Sequence, residues 1–223
     1  MLGFPGSKSS AFILALLMSV VVLCMAGPAS AVTIADDVDP AVRPMFVVVT
    51  DDVFRTQTQG GWGTRASGDN PGAYRDANFD VAFPDGVTIG CDDGGYNAPF
   101  TSSAAVQKFL PQGKKPGALQ KDYVDPSRTT GGVFAGQVLA LSLNVGFDVY
   151  DPAFSESYTP FGTLVVAMGP CEYMTVAEVL ALANQVLGGC STGMSPSTLN
   201  DCVTAINESW VDGVKCSDYL VVP

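Results

Sequence analysis

A chain of 223 residues with 47% apolar side chains can bury one sizeable core and needs no second domain. Its formal net charge of −11, from 22 acidic and 11 basic residues, disfavours nucleic acid and anionic membrane surfaces as partners, because both carry the same sign. Histidine is absent, which removes Ser-His-Asp and Cys-His catalysis and argues against zinc and haem.

The N-terminus reads as an export signal. Lys8 gives a short positive start, an apolar stretch runs from Ala11 to Gly27, Pro28 breaks it, and Ala29-Ser30-Ala31 has the small-x-small form of a cleavage site. The alternative is a retained anchor, but the stretch is short for a spanning helix and its small-residue exit favours removal. Cys24 follows Leu23, too bulky for a lipoprotein signal, so an ordinary signal peptide over 1–31 is expected. Removing it takes away Lys8 and no acidic residue, leaving a still more acidic chain from Val32 with no membrane insertion.

Residues 32–55 form a leader, acidic and loose around Asp36, Asp37 and Asp39. Within it, Met45-Phe46-Val47-Val48-Val49-Thr50 is a β-branched run between Pro44 and Asp51-Asp52, the pattern of a strand buried on both faces. From Gln59 to Tyr74 the Gly-rich, polar sequence predicts a long loop around Trp62. Phe79 to Gly90 alternates, breaks at Pro84-Asp85-Gly86 and resumes as Val87-Thr88-Ile89, which predicts a hairpin turning at Asp-Gly.

The second half is more helical. Ser103 caps a short predicted helix through Leu110, ended by Pro111. Phe134–Val145 fits both a helical stripe (Phe134, Val138, Leu141, Val145) and alternation (Leu139, Leu141, Leu143, Val145); its length favours a buried helix. Thr175-Val176-Ala177-Glu178 is a capping box, opening a helix that stops at Gly188-Gly189. A partner helix starts near Ser195-Pro196, carries Leu199, Cys202, Val203, Ile206 and Trp210 on one face, and ends by Gly213. These two are expected to form an antiparallel hairpin, and Tyr219–Val222 a last strand. The expected fold class is α+β: a small sheet or hairpins from the first half packed on a helical second half and stapled by disulfides. Cys91, Cys171, Cys190, Cys202 and Cys216 remain after cleavage, so two bridges with a leftover thiol, or one intermolecular bridge, are the possibilities.

Several motifs then suggest a relationship. Thr56-Gln57-Thr58-Gln59-Gly60-Gly61-Trp62-Gly63 resembles the opening signature of an uncharacterised module of secreted and cell-surface bacterial proteins. The match continues through Phe79–Cys91, Phe109-Leu110-Pro111, Ala135–Leu141, Val186–Cys190 and Ala205-Ile206-Asn207-Glu208. More distantly it is similar to TQGYWK-type surface modules. The resemblance covers residues 56–223, treated as one surface module, and implies a non-catalytic setting outside the cell with no site residues to transfer. The module stands alone here, with no C-terminal sorting motif or apolar tail, and self-assembly is one explanation.

The functional expectation is accordingly an extracellular structural protein, a filament or surface-layer subunit whose partners are copies of itself. Met45–Thr50 is the candidate assembly strand, completing the sheet of the next copy by main-chain hydrogen bonds; pairing inside its own subunit is the plainer alternative. An adhesive module binding surface glycans is the runner-up, with Trp62, Tyr74 and Tyr96 as a stacking platform, although a Trp in such a loop equally plugs the core, the reading favoured here. Asp92 and Asp93 on a Gly-rich turn offer calcium-type oxygen ligands without EF-hand spacing, and solvated charge is the simpler reading; no other cofactor is expected. Asn207-Glu208-Ser209 matches a glycosylation acceptor inside a predicted helix. No nucleophile elbow or phosphate loop is present, so an enzyme is not expected; a carboxylate-based glycosidase is the remaining catalytic alternative.

Overall fold

The computed structural model describes residues 53–191 and 193–223. The expected signal peptide and the strand Met45–Thr50 lie outside the described residues. In chain order the elements are α1 (Gln59–Trp62), α2 (Pro71–Ala82), β1 (Val87–Gly90), β2 (Asn97–Phe100), α3 (Ser103–Phe109), α4 (Gly132–Tyr150), a 3-10 turn (Phe161–Thr163), β3 (Val165–Val166), α5 (Val176–Gly188), α6 (Pro196–Asn207) and β4 (Leu220–Val221). The disulfide-stapled α+β class holds. Helices and strands are spread over both halves rather than divided between them.

Helix α4 is the centre, with α5, α6 and β1 packed against it. It is apolar around most of its circumference, and Phe134, Val138, Leu139, Leu141, Leu143 and Phe147 are fully buried, as expected of a helix with no solvent face to supply. By length and composition it could cross a membrane, but here it is the core of a folded domain.

The helices that pack on it start where their caps say. Thr175 Oγ1 accepts from Glu178 N while the Glu178 carboxylate accepts from Thr175 N, closing the capping box, and Gly189 ends α5 at φ 85°, a left-handed position that glycine occupies without a Cβ clash. Ser195 caps α6 with Pro196 in its first turn. The α3 cap is Ser102, one residue earlier than expected.

Three expectations change. The stretch read as a loop over 59–74 contains α1 and the start of α2, where Asn70 Oδ1 accepts from Ala73 N and Pro71 sits in the first turn. Phe79–Ala82 is therefore helical and not the first arm of a hairpin; Phe79 and Phe83, four residues apart, meet at 5.3 Å, as one helix face requires. Pro84-Asp85-Gly86 instead turns the chain into β1, whose antiparallel partner is β2, in the register Val87↔Phe100 to Gly90↔Asn97. Finally, α6 ends at Asn207, and Trp210 lies beyond it because its backbone pairs with Thr56 and not with the helix.

The packed chain begins before the expected module boundary, since Phe54 is buried with its ring edge-on to Trp210. Disulfides join Cys91 to Cys190 and Cys171 to Cys202, a pattern suited to an oxidising, extracellular setting. Two bridges among these five cysteines were one of the possibilities, and in the 223-residue chain Cys216 is not a free thiol.

Candidate functional site

The signature Thr56–Gly63 runs along α4, with Gln59 against Gly136 and with Gln57 and Trp62 on Asn144. Asn144, fully buried on α4, accepts at Oδ1 from Trp62 Nε1 at 2.9 Å and from Gln57 N at 2.8 Å. Its Nδ2 donates to the Gln57 carbonyl at 3.0 Å and to Asn207 Oδ1 at 2.9 Å. Asn207 in turn donates to the Gln137 carbonyl and side-chain oxygen. Every hydrogen-bonding position of Asn144 is used, in a buried setting where an unmet group would be costly. Because Asn207 is fully buried, its glycosylation triplet is a packing feature.

Trp62 is thus the plug of this core, with Phe147 and Phe154 rings at 5.1 and 6.1 Å. Arg75, also fully buried, donates to the Trp62 carbonyl and pairs with Asp76 at 2.7 Å. Gly63 runs against the cis Leu110–Pro111 peptide: a Cβ there would sit 2.5 Å from the Leu110 carbonyl oxygen.

Of the three aromatic residues expected as a platform, the fold brings two together. Tyr74 lies beside Trp62, ring centroids 6.4 Å apart, while Tyr96 is in the β1–β2 connection and contacts neither ring. Trp62 has no exposed face for stacking.

Next to this plug is a cleft of about 430 Å³, within the usual range of roughly 300–1,000 Å³ for small-molecule sites. Partly exposed Tyr74 faces it with the buried Trp62 and Phe154 behind, and its polar lining is Arg55, Gln57, Asp69, Asn78 and Asp212. One face of α2 contributes Ala73, Tyr74, Ala77 and Asn78. Tyr74 donates its hydroxyl to Asp151 at 2.7 Å; burial first, and the Asp151 carboxylate second, push the phenol well above its ordinary range. The Arg55 guanidinium lies over the Phe154 ring at 6.0 Å. Its Nε is buried with no hydrogen-bond partner, and it makes no ion pair among the described residues. Asp212 lies across the same cleft, its Oδ1 held by Gln57 Nε2 at 2.6 Å.

A second surface surrounds β3 and β4. Val165 and Val166 pair with Val221 and Leu220, and Val166 bonds on its other side to Tyr173 and Met174. Met168, Tyr173, Val221 and Val222 are all more than 40% exposed on or beside this ribbon, and no described strand covers the outer edge of β4. At the calcium candidate, Asp92 Oδ1 is engaged by Asn97 Nδ2, and no group of three or more metal-ligating side chains occurs among the described residues.

Sequence reasoning missed Arg55, Asn144 and Asp212, and singled out Asn207 only as a glycosylation acceptor and within the resemblance. Asn144 inside a strongly apolar run was the one visible signal, since a polar residue there must find partners. No family model, curated protein or solved structure matches the chain.

Proposed function

We propose that this is an extracellular structural protein whose copies join through the N-terminal segment, with Met45–Thr50 adding a strand to a neighbouring subunit. The observation that supports this most directly is the uncovered edge of β4 amid exposed Met168, Tyr173, Val221 and Val222. An open strand edge with apolar flanks invites a further strand. Met45–Thr50 has the matching composition, and only two residues separate it from Val53, whose backbone pairs in extended form with Glu156. A head-to-tail joint of this type does not close on itself and yields a fibre.

Negative-stain microscopy of chains starting at Val32 and at Val53 tests this reading. The shorter chain keeps the buried Phe54, so its fold is intact. Fibres from the first and monomers from the second are expected. Monomers from both, across concentration, would refute assembly through this segment.

A further inference from the structure

Among the five described residues with an unmet buried polar side-chain atom, Arg55 alone carries a charge, and it lines the cleft. In a chain with twice as many acids as bases, it has no carboxylate within ion-pair distance among the described residues. Its Nε is shielded from solvent and unmet, and its position is fixed from behind: the backbone N–H donates to Ser155 Oγ, which donates to Asp148. A planar guanidinium held in place over an aromatic ring is suited to receiving a carboxylate through two parallel hydrogen bonds.

The rest of the cleft narrows the ligand class. Asp212 and Asp69 face the same space as acceptors, while Tyr74 has its proton committed to Asp151. A simple anion would gain Arg55 and be repelled by the two carboxylates. A ligand with one carboxylate and several hydroxyls satisfies both walls, because hydroxyls donate to Asp69 and Asp212 while the carboxylate meets Arg55. The partly exposed ring of Tyr74 suits the C–H face of a sugar ring. We propose that this cleft binds an acidic sugar of the hexuronate type, with its carboxylate on Arg55 and its hydroxyls on Asp69 and Asp212. None of the described residues that line the cleft belongs to Met45–Thr50.

Calorimetry of the intact chain with sodium glucuronate, glucose and L-alanine tests the proposal. Glucuronate should bind saturably at one site. Glucose lacks the carboxylate and should bind about tenfold or more weakly, the scale of a charge-assisted pair. L-Alanine lacks the hydroxyls and should also bind more weakly than glucuronate. Arg55→Gln should weaken glucuronate by about tenfold or more. Ala77→Glu, at an exposed helix position on the rim, should weaken it by repulsion without altering the core, and it decides the matter if Arg55→Gln fails to fold. The proposal is overturned if glucose or L-alanine binds as tightly as glucuronate, if neither variant changes its affinity, or if glucuronate gives no saturable heat up to about 10 mM, beyond the weak end of the ordinary affinity scale.

Discussion

Asn144 and Arg55 flank the same segment of chain, and their polar atoms are treated oppositely. Asn144 has four hydrogen-bonding positions and four partners; Arg55 has a buried donor and none for it. A saturated amide in an apolar core fixes one register of the Thr56–Gly63 segment against α4, since any shift would strand several buried groups at once. A guanidinium on the wall of a cleft with no ion pair among the described residues fixes nothing, so its charge is left to whatever enters. The signature motif therefore belongs to architecture, and the residue just ahead of it to recognition.

The sharpest way to break this contrast is Asn144→Leu. It leaves Trp62 Nε1, both backbone groups of Gln57 and Asn207 Oδ1 without partners, and should cost about 3–5 kcal/mol in urea unfolding. A loss below about 1 kcal/mol, the net worth of a single ordinary hydrogen bond, would show that the knot is not what locates the segment. Trp62→Phe keeps an aromatic plug but removes one donor and some volume, and should cost about 2 kcal/mol by the same measurement.

Tyr74 sits between the two regions and sharpens the comparison through pH. Its folded-state phenol titrates above its ordinary value because of burial and then Asp151. The unfolded chain begins to ionise near pH 10, while the folded chain keeps the proton. The stability tied to this group is thus complete below about pH 10 and declines as pH rises toward the folded value. Tyr74→Phe should flatten that alkaline decline, seen as a smaller drop in unfolding midpoint between pH 9 and pH 11. The smallest effect on folding belongs to Arg55→Gln, within about 0.5 kcal/mol of the parent, because its guanidinium gives up no hydrogen bond that an unfolding experiment would register.

Local signals were the ones the sequence displayed. The boundaries of α5 were readable because Thr175, Glu178 and Gly189 are cap residues acting within one turn, and α6 because Ser195-Pro196 is a start signal. Helix α4 was readable from the length of its apolar run. Helix α2 was not, since Asn70-Pro71 opens it inside a Gly-rich stretch, and Phe79, Val81 and Phe83 happen to alternate as a strand would. The core role of Trp62 was within reach of sequence reasoning, but its partners were not. The Gln57–Asn144 and Asn144–Asn207 bonds span 87 and 63 residues, distances over which composition and periodicity carry no information. Arg55 had no marker at all, for an arginine is distinguished only by what fails to surround it.

The Cys91–Cys190 bridge has a mechanical meaning for a protein whose ends are pulled. It short-circuits a sequence separation of 99 residues, so tension applied at Val53 and Pro223 bypasses the chain from Cys91 to Cys171. The Cys171–Cys202 bridge makes the 171–190 stretch a branch parallel to 190–202. At about 3.4 Å per extended residue, roughly 330 Å of contour length is withheld while the bond is intact. Helix α4 and most of the core lie inside that protected loop, whereas the Thr56–Gly63 segment and α6 lie in the load path. Under force the oxidised domain would give way at its margins and keep its centre folded, and a reductant would turn the same domain into a much longer tether.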